Sequence, residues 1–264
     1  MAPEPQPDSA IELRGVVKHL GGQRVLDGVD LAVPAGAITV LLGPSGAGKT
    51  VTIRHILGLI DPDAGFIWVD GHHVTTATEE ELNEVRRSIG VVLQGVLPFS
   101  CGLFYSLDVY ENVAFPLRER TRWTEERIDR ATMEALGMVG LADWARSMPN
   151  ELSSGMTKRV AIARALALEA RIVIIDDFDS GIDGVRLALL CELLREAQLR
   201  TGAAYLVTTH DMSAARRLAD RIAVIHDGRI VASGTAEEVL ATEEPVARQL
   251  VTGAAAGPIK LRDA

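Results

Sequence analysis

The feature that most constrains the fold is a glycine-rich segment between an apolar run and a helical pattern. Residues 43–50 read Gly-Pro-Ser-Gly-Ala-Gly-Lys-Thr, and the apolar run 37–42 comes directly before them. Such a run is typical of a strand buried on both faces, and the pattern over residues 48–59 predicts a helix. The segment therefore has both the sequence motif of a phosphate-binding loop and its usual position between a strand and a helix.

The residue types in this loop suit a nucleoside triphosphate and its magnesium ion. Glycines let the chain fold tightly around an anion, so that successive backbone N–H groups point at phosphate oxygens. Lys49 can reach the β- and γ-phosphates, the Thr50 hydroxyl can ligate Mg²⁺, and the helix start adds its positive dipole end. A glycine-rich turn that only connects strand and helix is the alternative. We predict ATP and Mg²⁺ as cofactors, held by Gly43, Pro44, Ser45, Gly46, Ala47, Gly48, Lys49, Thr50 and Val51.

Composition and charge narrow the class of protein. The chain has 264 residues and a net charge of −9, which argues against a nucleic-acid partner because such partners require a basic surface. Cys101 and Cys191 lack metal-ligand spacing, as expected for buried or incidental thiols in a reducing compartment. No apolar run approaches the roughly 18 residues of a membrane span. We therefore expect a cytoplasmic protein that meets a membrane only through a partner.

Strand and helix patterns alternate along most of the chain. Helical patterns such as residues 79–87 lie between most of the predicted strands, and this alternation predicts an α/β fold with a largely parallel sheet and helices on both faces. Residues 107–168 are mostly helical in pattern and imply an inserted subdomain, with helix breaks expected at Pro116, Gly137, Gly140 and Pro149-Asn150. The strands are predicted at residues 11–18, 25–33, 37–42, 66–69, 89–93, 171–176, 203–209, 221–226 and 229–233.

Both ends of the chain are predicted to lie outside the folded domain, which spans residues 11–244. Residues 1–10 are proline-rich and polar, and we expect them to be disordered. Residues 245–264 form a C-terminal extension, and its small and turn-forming residues predict flexibility from Thr252 onward.

Two further motifs point to the same chemistry. Asp176 ends the apolar strand, and ligands of α/β sheets bind at the carboxyl ends of strands, so its carboxylate is placed to hold Mg²⁺ beside the phosphate loop. Ser153 precedes a helix-forming stretch and is a natural N-cap. That helix start is either a simple cap or a second anion site, and its spacing leaves both interpretations open.

The order of these motifs resembles the nucleotide-binding subunit of an ABC transporter. The phosphate loop, an isolated Gln94, Leu152-Ser-Ser-Gly155, the strand with Asp176, and Thr209-His210-Asp211 follow one another along the chain. The resemblance implies a P-loop NTPase fold with a RecA-like core and an N-terminal antiparallel β-subdomain. It also implies an inserted α-helical signature subdomain at about residues 96–168.

The resemblance also implies a head-to-tail dimer with ATP between the two subunits. Each nucleotide would lie between the phosphate loop of one subunit and Ser153, Ser154 and Gly155 of the other. By position, Gln94 would ligate Mg²⁺ and sense the transmembrane partner, and His210 would lie near the γ-phosphate. Asp183 would belong to the loop that communicates across the dimer. Such subunits work with multi-span permease subunits.

Other segments resemble the ATPase subunits of Mce-type and Mla-type lipid transport systems. They are Glu111-Asn-Val-Ala-Phe-Pro-Leu-Arg118, Asp179-Ser-Gly-Ile-Asp183 and Glu244-Pro-Val-Ala-Arg-Gln-Leu250. This closer resemblance implies permease subunits together with Mce-domain substrate-binding proteins as partners, and lipids or sterols as cargo. The ATPase itself does not touch the cargo, so the substrate class rests on the resemblance alone.

Asp177 departs from the family pattern, which has Glu at this position as the residue that polarises the attacking water. Asp is one methylene shorter, and a misplacement of about 1 Å can cost on the order of 10²-fold in rate. We therefore predict slowed hydrolysis at Asp177. A shift of the backbone or an intervening water that compensates is the alternative.

Two further departures affect the contacts to the nucleotide. Ser154 puts a Cβ where the family has Gly, which predicts a weaker sandwich between subunits. Leu20, beside His19, occupies the place of the aromatic residue that stacks on adenine. A base–aromatic stack contributes roughly 1–3 kcal/mol, so we expect weaker affinity for the base and looser selectivity.

The segment 94–107 is longer than the related stretch, which normally receives the permease. Its apolar residues are either a partner-docking patch or packing for the helical subdomain. They are Leu97, Pro98, Phe99, Leu103 and Phe104.

These observations lead to two hypotheses. The first is an ATPase that drives an Mce-type lipid or sterol importer from the inner face of the membrane, as a homodimer bound to the permease. The second is a nucleotide-binding regulatory subunit of such a complex with slowed catalysis. Asp177 and Ser154, which depart from the family pattern, are the residues that favour it.

Overall fold

In the computed structural model, which describes residues 4–93 and 102–260, the chain opens with a four-stranded antiparallel sheet. The order across it is β2-β1-β4-β5, with β1 (Ser9–Leu20), β2 (Gln23–Pro34), β4 (Ala64–Val69) and β5 (His72–His73). β1 begins at Ser9, so residues 9 and 10 belong to a strand and not to the predicted disordered N-terminus.

A second sheet has six strands in the order β10-β9-β3-β8-β7-β6. Five of them are parallel, and only β10 runs antiparallel, at one edge. This arrangement confirms the predicted, largely parallel sheet. The strands are β3 (Ile38–Leu42), β6 (Ile89–Val92), β7 (Ile172–Ile175), β8 (Ala204–Thr209), β9 (Arg221–His226) and β10 (Arg229–Thr235).

Helices connect the strands, and most of them begin at a polar side chain that accepts a hydrogen bond from the first turn. Thr78, for example, forms a reciprocal capping box with Glu81, which satisfies backbone donors that a helix start leaves unpaired. The helices are α1 (Lys49–Ile56), α2 (Glu79–Arg87), α3 (Val109–Arg120), α4 (Glu125–Met138), α5 (Ser154–Ala167), α6 (Gly184–Thr201), α7 (Met212–Leu218), α8 (Ala236–Leu240) and α9 (Pro245–Thr252).

The predicted helix breaks at Pro116 and Gly137 are wrong. α3 continues through Pro116 because Val113, Ala114 and Leu117 on either side of it are fully buried. Their packing outweighs the cost of about 3 kcal/mol for an interior proline. Gly137 lies inside the last turn of α4, which ends at Met138, and Gly140 follows in the turn with a φ of +68°.

The second sheet separates two hydrophobic cores. Ile38, Val40 and Leu42 of β3 pack against the side that carries α3 to α7. Leu41 packs with α1 and the first sheet on the opposite side. Burial on both faces explains why β3 is continuously apolar.

The chain beyond residue 244 continues as the helix α9, in which Ala247 and Val251 are buried. The residues after it turn back, since the Gln249 side chain accepts from the Ile259 N–H at 2.8 Å and donates to the Ile259 carbonyl at 3.1 Å. Within residues 4–93 and 102–260, no helix is long and apolar enough to cross a membrane.

Candidate functional site

The phosphate loop lies between the end of β3 and the start of α1. Gly46 and Gly48 have φ values of +79° and +108°, which glycine adopts at low cost. A Cβ on Gly48 would lie 2.8 Å from Leu26 Cδ2, so the loop also needs glycine there for space. Gly48 starts α1 without a side-chain cap, and the first backbone N–H groups of the helix are therefore left for an anion.

Lys49 lies across this loop. Its ammonium donates hydrogen bonds to the carbonyls of Gly43 at 2.6 Å and Pro44 at 2.9 Å. Burial lowers the pKa of Lys49, while the negative charges of Asp177, Asp176 and, less strongly, Asp179 act in the opposite direction. A partly desolvated cation beside a helix start that has no side-chain cap suits a polyphosphate.

Thr50 and Asp176 meet at the carboxyl end of the parallel strands. The Thr50 hydroxyl donates to Asp176 Oδ2 at 2.9 Å, and the Thr208 hydroxyl donates to Asp176 Oδ1 at 2.6 Å. Asp176 is buried. A hydroxyl and a carboxylate are the oxygen ligands that Mg²⁺ prefers. These two side chains therefore fit the magnesium ion that the sequence predicts.

Both backbone polar groups of Asp177, the N–H and the carbonyl, form hydrogen bonds. Its N–H donates to the Thr208 hydroxyl at 2.8 Å, and its carbonyl accepts from the buried ammonium of Lys158, which also donates to the Ser180 carbonyl at 3.0 Å. Its φ is +54°, a left-handed conformation that Asp tolerates better than most residues. A shift of this backbone would break both contacts.

The side chains of Asp179 and His210 contact each other beside Asp177. His210 Nδ1 lies 2.8 Å from Asp179 Oδ2, and the Thr209 hydroxyl donates to Asp179 Oδ1 at 2.6 Å. A carboxylate oxygen of Asp177, an oxygen of Asp179 and a ring nitrogen of His210 lie within 4.8 Å of one another.

A cleft of about 810 Å³ brings most of the predicted site together. Leu20 reaches it from the end of β1, as expected for a residue in the place of the base-stacking aromatic. Gly43, Pro44 and Ala47 belong to the loop but do not line the cleft. The predicted residues that do line it are Leu20, Ser45, Gly46, Gly48, Lys49, Thr50, Val51, Asp176, Asp177 and His210.

Ser153, Ser154, Gly155 and Asp183 do not line this cleft. Ser153 caps α5 by accepting from the Met156 N–H at 3.3 Å, and both Ser153 and Ser154 are exposed. Asp183 caps α6 by accepting from the Arg186 N–H at 3.0 Å. One copy of the chain therefore brings together the phosphate loop and the strand-end carboxylates but not the Leu-Ser-Ser-Gly segment.

The segment predicted as a docking patch divides into two parts. Gln94, Leu97, Pro98 and Phe99 lie outside the described residues. Leu103 is buried in the core beside α3, so for this residue the packing interpretation holds. Phe104 is 47% exposed and packs edge-on against Phe115 with ring centroids 5.7 Å apart.

Sequence reasoning missed Thr208, Lys158 and Asp179 as parts of this site. Thr208 bridges Asp176 and Asp177, Lys158 holds the Asp177 carbonyl, and Asp179 pairs with His210. One feature of the sequence could have indicated Asp179. It is a third acidic residue, after Asp176 and Asp177, close to the end of a buried strand. Thr208 and Lys158 read as an ordinary strand residue and an ordinary helix residue.

Comparison with known proteins gives relatives along almost the whole chain. Residues 26–180 match the family model described as ABC transporter. The probable ribonucleotide transport ATP-binding protein mkl of Mycobacterium leprae is 39% identical over 254 residues, covering 96% of this chain and 72% of that protein. The intermembrane phospholipid transport system ATP-binding protein MlaF of Escherichia coli K12 is 36% identical over 252 residues, covering 96% and 92%.

Solved structures are similar over comparable lengths. A dimeric ATP-binding cassette in a post-hydrolysis state, bound to ADP and Pi, has a TM-score of 0.77 and 31% identity, covering 85% of this chain and 98% of that one. The cbiO1 protein of Clostridium perfringens, part of the ABC transporter complex cbiONQ, has a TM-score of 0.79 and 27% identity, covering 90% and 92%. The predicted cassette-type α/β fold is confirmed.

Proposed function

Because this chain belongs to the ABC transporter family, and is an ATPase subunit that uses ATP and Mg²⁺, we propose that it energises an Mce-type importer of lipids or sterols. The names of the relatives differ on cargo, since one is named for phospholipids and another for ribonucleotides. Two features favour lipid. The similarity covers 92% of the phospholipid transport protein and 72% of the one named for ribonucleotides, and residues 111–118 resemble the ATPase subunits of Mce and Mla systems.

Within the cleft, each residue has a proposed task. The loop N–H groups and the Lys49 ammonium bind the β- and γ-phosphates, and Leu20 contacts the base. Thr50 and Asp176 would hold Mg²⁺, with Gln94 as a further ligand, and the ion neutralises phosphate charge when it is bound. We propose that His210 contacts the γ-phosphate and that Asp177 polarises the attacking water. The convergence of Lys49, Thr50, Asp176, Asp177 and His210 in one cleft carries the proposal.

A second candidate function is a regulatory subunit with slowed hydrolysis. The specific observation in its favour is the double hold on the Asp177 backbone by Thr208 and Lys158. The shorter carboxylate would have to move forward to take the place of a Glu carboxylate. Because this movement would break two hydrogen bonds, a backbone shift is an unfavourable way to make up for the shorter side chain of Asp177.

The exposed Leu-Ser-Ser-Gly segment favours a dimer as the working form. Ser153, Ser154 and Gly155 start α5 outside their own cleft, so they are available to a second copy. We propose that each cleft is completed by this segment of the partner subunit, with Asp183 in the loop between the two sites. The Cβ of Ser154 weakens this contact relative to a glycine.

The permease contact is proposed at the aromatic patch, defined as Phe104, Tyr105 and Phe115. All three are exposed, at 47%, 49% and 39%, and Phe104 and Tyr105 follow the segment 94–101 in the sequence. Large exposed aromatic side chains in one place are typical of a partner surface. Through this contact the chain would sit on the inner face of the membrane, with Mce-domain proteins held elsewhere in the complex.

Affinity purification from membranes tests the transporter assignment. A tagged chain is expressed in its native cells, and the proteins that co-purify in mild detergent are identified by mass spectrometry. Multi-span permease subunits and Mce-domain proteins are expected together. A permease that co-purifies with soluble-cargo binding proteins and without Mce-domain proteins would contradict the lipid assignment.

A further inference from the structure

The contact between Asp179 and His210 joins an anchored carboxylate to a histidine at the mouth of the cleft. The Asp179 side chain is 4% exposed, whereas the His210 side chain is 57% exposed. One oxygen of Asp179 accepts from Thr209 at 2.6 Å, and the other lies 2.8 Å from His210 Nδ1. The carboxylate is therefore anchored in the protein, and the imidazole is held at its outer edge.

This contact determines which ring nitrogen of His210 carries the proton. An ionised carboxylate only accepts hydrogen bonds, so the short contact requires a hydrogen on Nδ1. In the neutral ring, Nε2 then has a free lone pair, because the tautomer of a histidine is set by the bond that its other nitrogen makes. His210 lines the cleft, and in this tautomer its Nε2 can only accept a hydrogen bond or a proton.

We propose that Asp179 is a positioning residue for ATP hydrolysis, which fixes His210 as the Nδ1–H tautomer so that Nε2 accepts the proton of the attacking water. This inference rests on the proposed function of the cleft. As the water oxygen bonds to the γ-phosphorus, the bond from that phosphorus to the β–γ bridging oxygen breaks and ADP leaves. The water proton passes to Nε2 and afterwards to solvent, so that ATP and water give ADP, phosphate and a proton.

The arrangement around Asp177 makes a second proton acceptor useful at this place. The Asp177 carboxylate lies within 4.8 Å of the Asp179–His210 pair but is one methylene shorter than Glu, and its backbone is held by Thr208 and Lys158. A histidine oriented by a buried carboxylate is a well-tested proton acceptor in hydrolases.

The purely structural alternative is that Asp179 only ties the chain after β7 to the end of β8 through Thr209. In that case, any side chain that accepts from the Thr209 hydroxyl would serve equally well. Asp179→Asn separates the two roles, because its oxygen can still accept from Thr209 while its NH₂ group donates towards Nδ1. It thereby favours the opposite tautomer of His210.

Steady-state hydrolysis of Mg-ATP by the full-length chain is the first measurement. For Asp179→Asn we expect a fall in kcat on the order of 10²-fold or more, as for other carboxylate–histidine pairs whose tautomer is reversed, with KM changed less than about threefold. The matched control is Asp211→Asn, which removes the same charge next to His210 and keeps a good N-cap for α7. It should retain the wild-type kcat within about twofold. An unchanged kcat in Asp179→Asn overturns the inference.

Two further measurements exclude a simple folding defect. In a double-mutant cycle, Asp179→Asn should cost nothing more in a His210→Ala background, because Asp179 acts through His210. Additive losses would overturn the inference. Proton–nitrogen correlation spectra of histidine-labelled, nucleotide-free protein should give His210 as the Nδ1–H tautomer in the wild type and as Nε2–H in Asp179→Asn, with His210→Ala identifying the signal among the six histidines.

The spectra also keep this inference separate from the proposed function. They need no nucleotide, so an Nε2–H tautomer in the wild-type chain overturns the inference even if hydrolysis is fast. Wild-type hydrolysis no faster than that of Lys49→Ala would contradict the proposed function instead.

Discussion

At the scale of single residues, the hydroxyl of Thr208 connects the two acidic residues that follow β7. It donates to Asp176 Oδ1 and accepts from the Asp177 N–H, and the residue is fully buried. A single buried hydroxyl thus orients the proposed magnesium ligand and fixes the backbone of Asp177, the residue proposed to polarise the water. Its loss would leave a buried donor and a buried acceptor without this partner.

Thr208→Val should therefore lower the free energy of unfolding by about 1–3 kcal/mol, the cost of leaving buried polar groups unsatisfied. Urea denaturation followed by circular dichroism measures it. Thr39→Val is the matched control, because Thr39 is equally buried and its hydroxyl has no hydrogen-bond partner among the described residues. It should be neutral or stabilising. Equal losses in the two variants would contradict the bridging role.

Asp177→Glu should raise kcat by about 10-fold or more, because it moves the carboxylate towards the water by about 1 Å. The left-handed φ of +54° is less favourable for Glu than for Asp. We therefore expect the melting temperature to fall slightly while the rate rises. Mg-ATP hydrolysis by the two proteins at saturating ATP tests this. A Glu variant that is no faster would remove the case for slowed catalysis.

At the scale of elements, the start of α5 has two possible roles that one substitution can separate. Ser153 caps the helix, and the same N-terminus is proposed to bind phosphate from the second copy. Ser153→Asp keeps the cap, since Asp is as good an N-cap as Ser. It also places a negative charge where the γ-phosphate of the partner subunit's ATP would lie.

Ser153→Asp should retain wild-type stability but lose ATP-dependent dimerisation, measured by size-exclusion chromatography with light scattering. Ser153→Ala serves as the comparison and should lose about 1 kcal/mol of stability with the cap. If Ser153→Asp dimerises with ATP as well as the wild type does, α5 is capped there and binds no phosphate.

Much of the architecture could be predicted from local sequence patterns. α2 occupies its predicted residues 79–87, and the strands agree with their predictions within about three residues, because periodicity and turn residues determine them locally. The continuation of α3 through Pro116 could not be predicted, since it depends on packing in the core. Asp179 was missed for the same reason: its partners, Thr209 and His210, lie 30 or more positions away and meet it only in the folded sheet.

At the scale of the whole molecule, the site is divided between surfaces that face different neighbours. The cleft opens at the carboxyl ends of the parallel strands, the Leu-Ser-Ser-Gly segment is exposed elsewhere, and the aromatic patch lies at the start of α3. The proposed working unit is therefore a dimer on a permease, and a single chain holds only part of each contact.

A Phe104→Glu, Phe115→Glu double variant should no longer co-purify with the permease, because charged side chains are depleted at interface cores. The isolated variant should keep its ATPase rate within about twofold. Leu199→Glu is the control. Leu199 is 75% exposed on α6, far from the patch in sequence, and its substitution should leave co-purification unchanged. Retention of the permease by the double variant would place the contact elsewhere.

The central claim is that the cleft formed by the phosphate loop and the strand-end carboxylates hydrolyses Mg-ATP. Its most direct test is the steady-state release of phosphate by the purified chain, with and without Mg²⁺, compared with Lys49→Ala under the same conditions. We expect release that depends on Mg²⁺ in the wild type and falls to background in Lys49→Ala. Equal release by the two proteins, or release that persists without Mg²⁺, would contradict the assignment of this site.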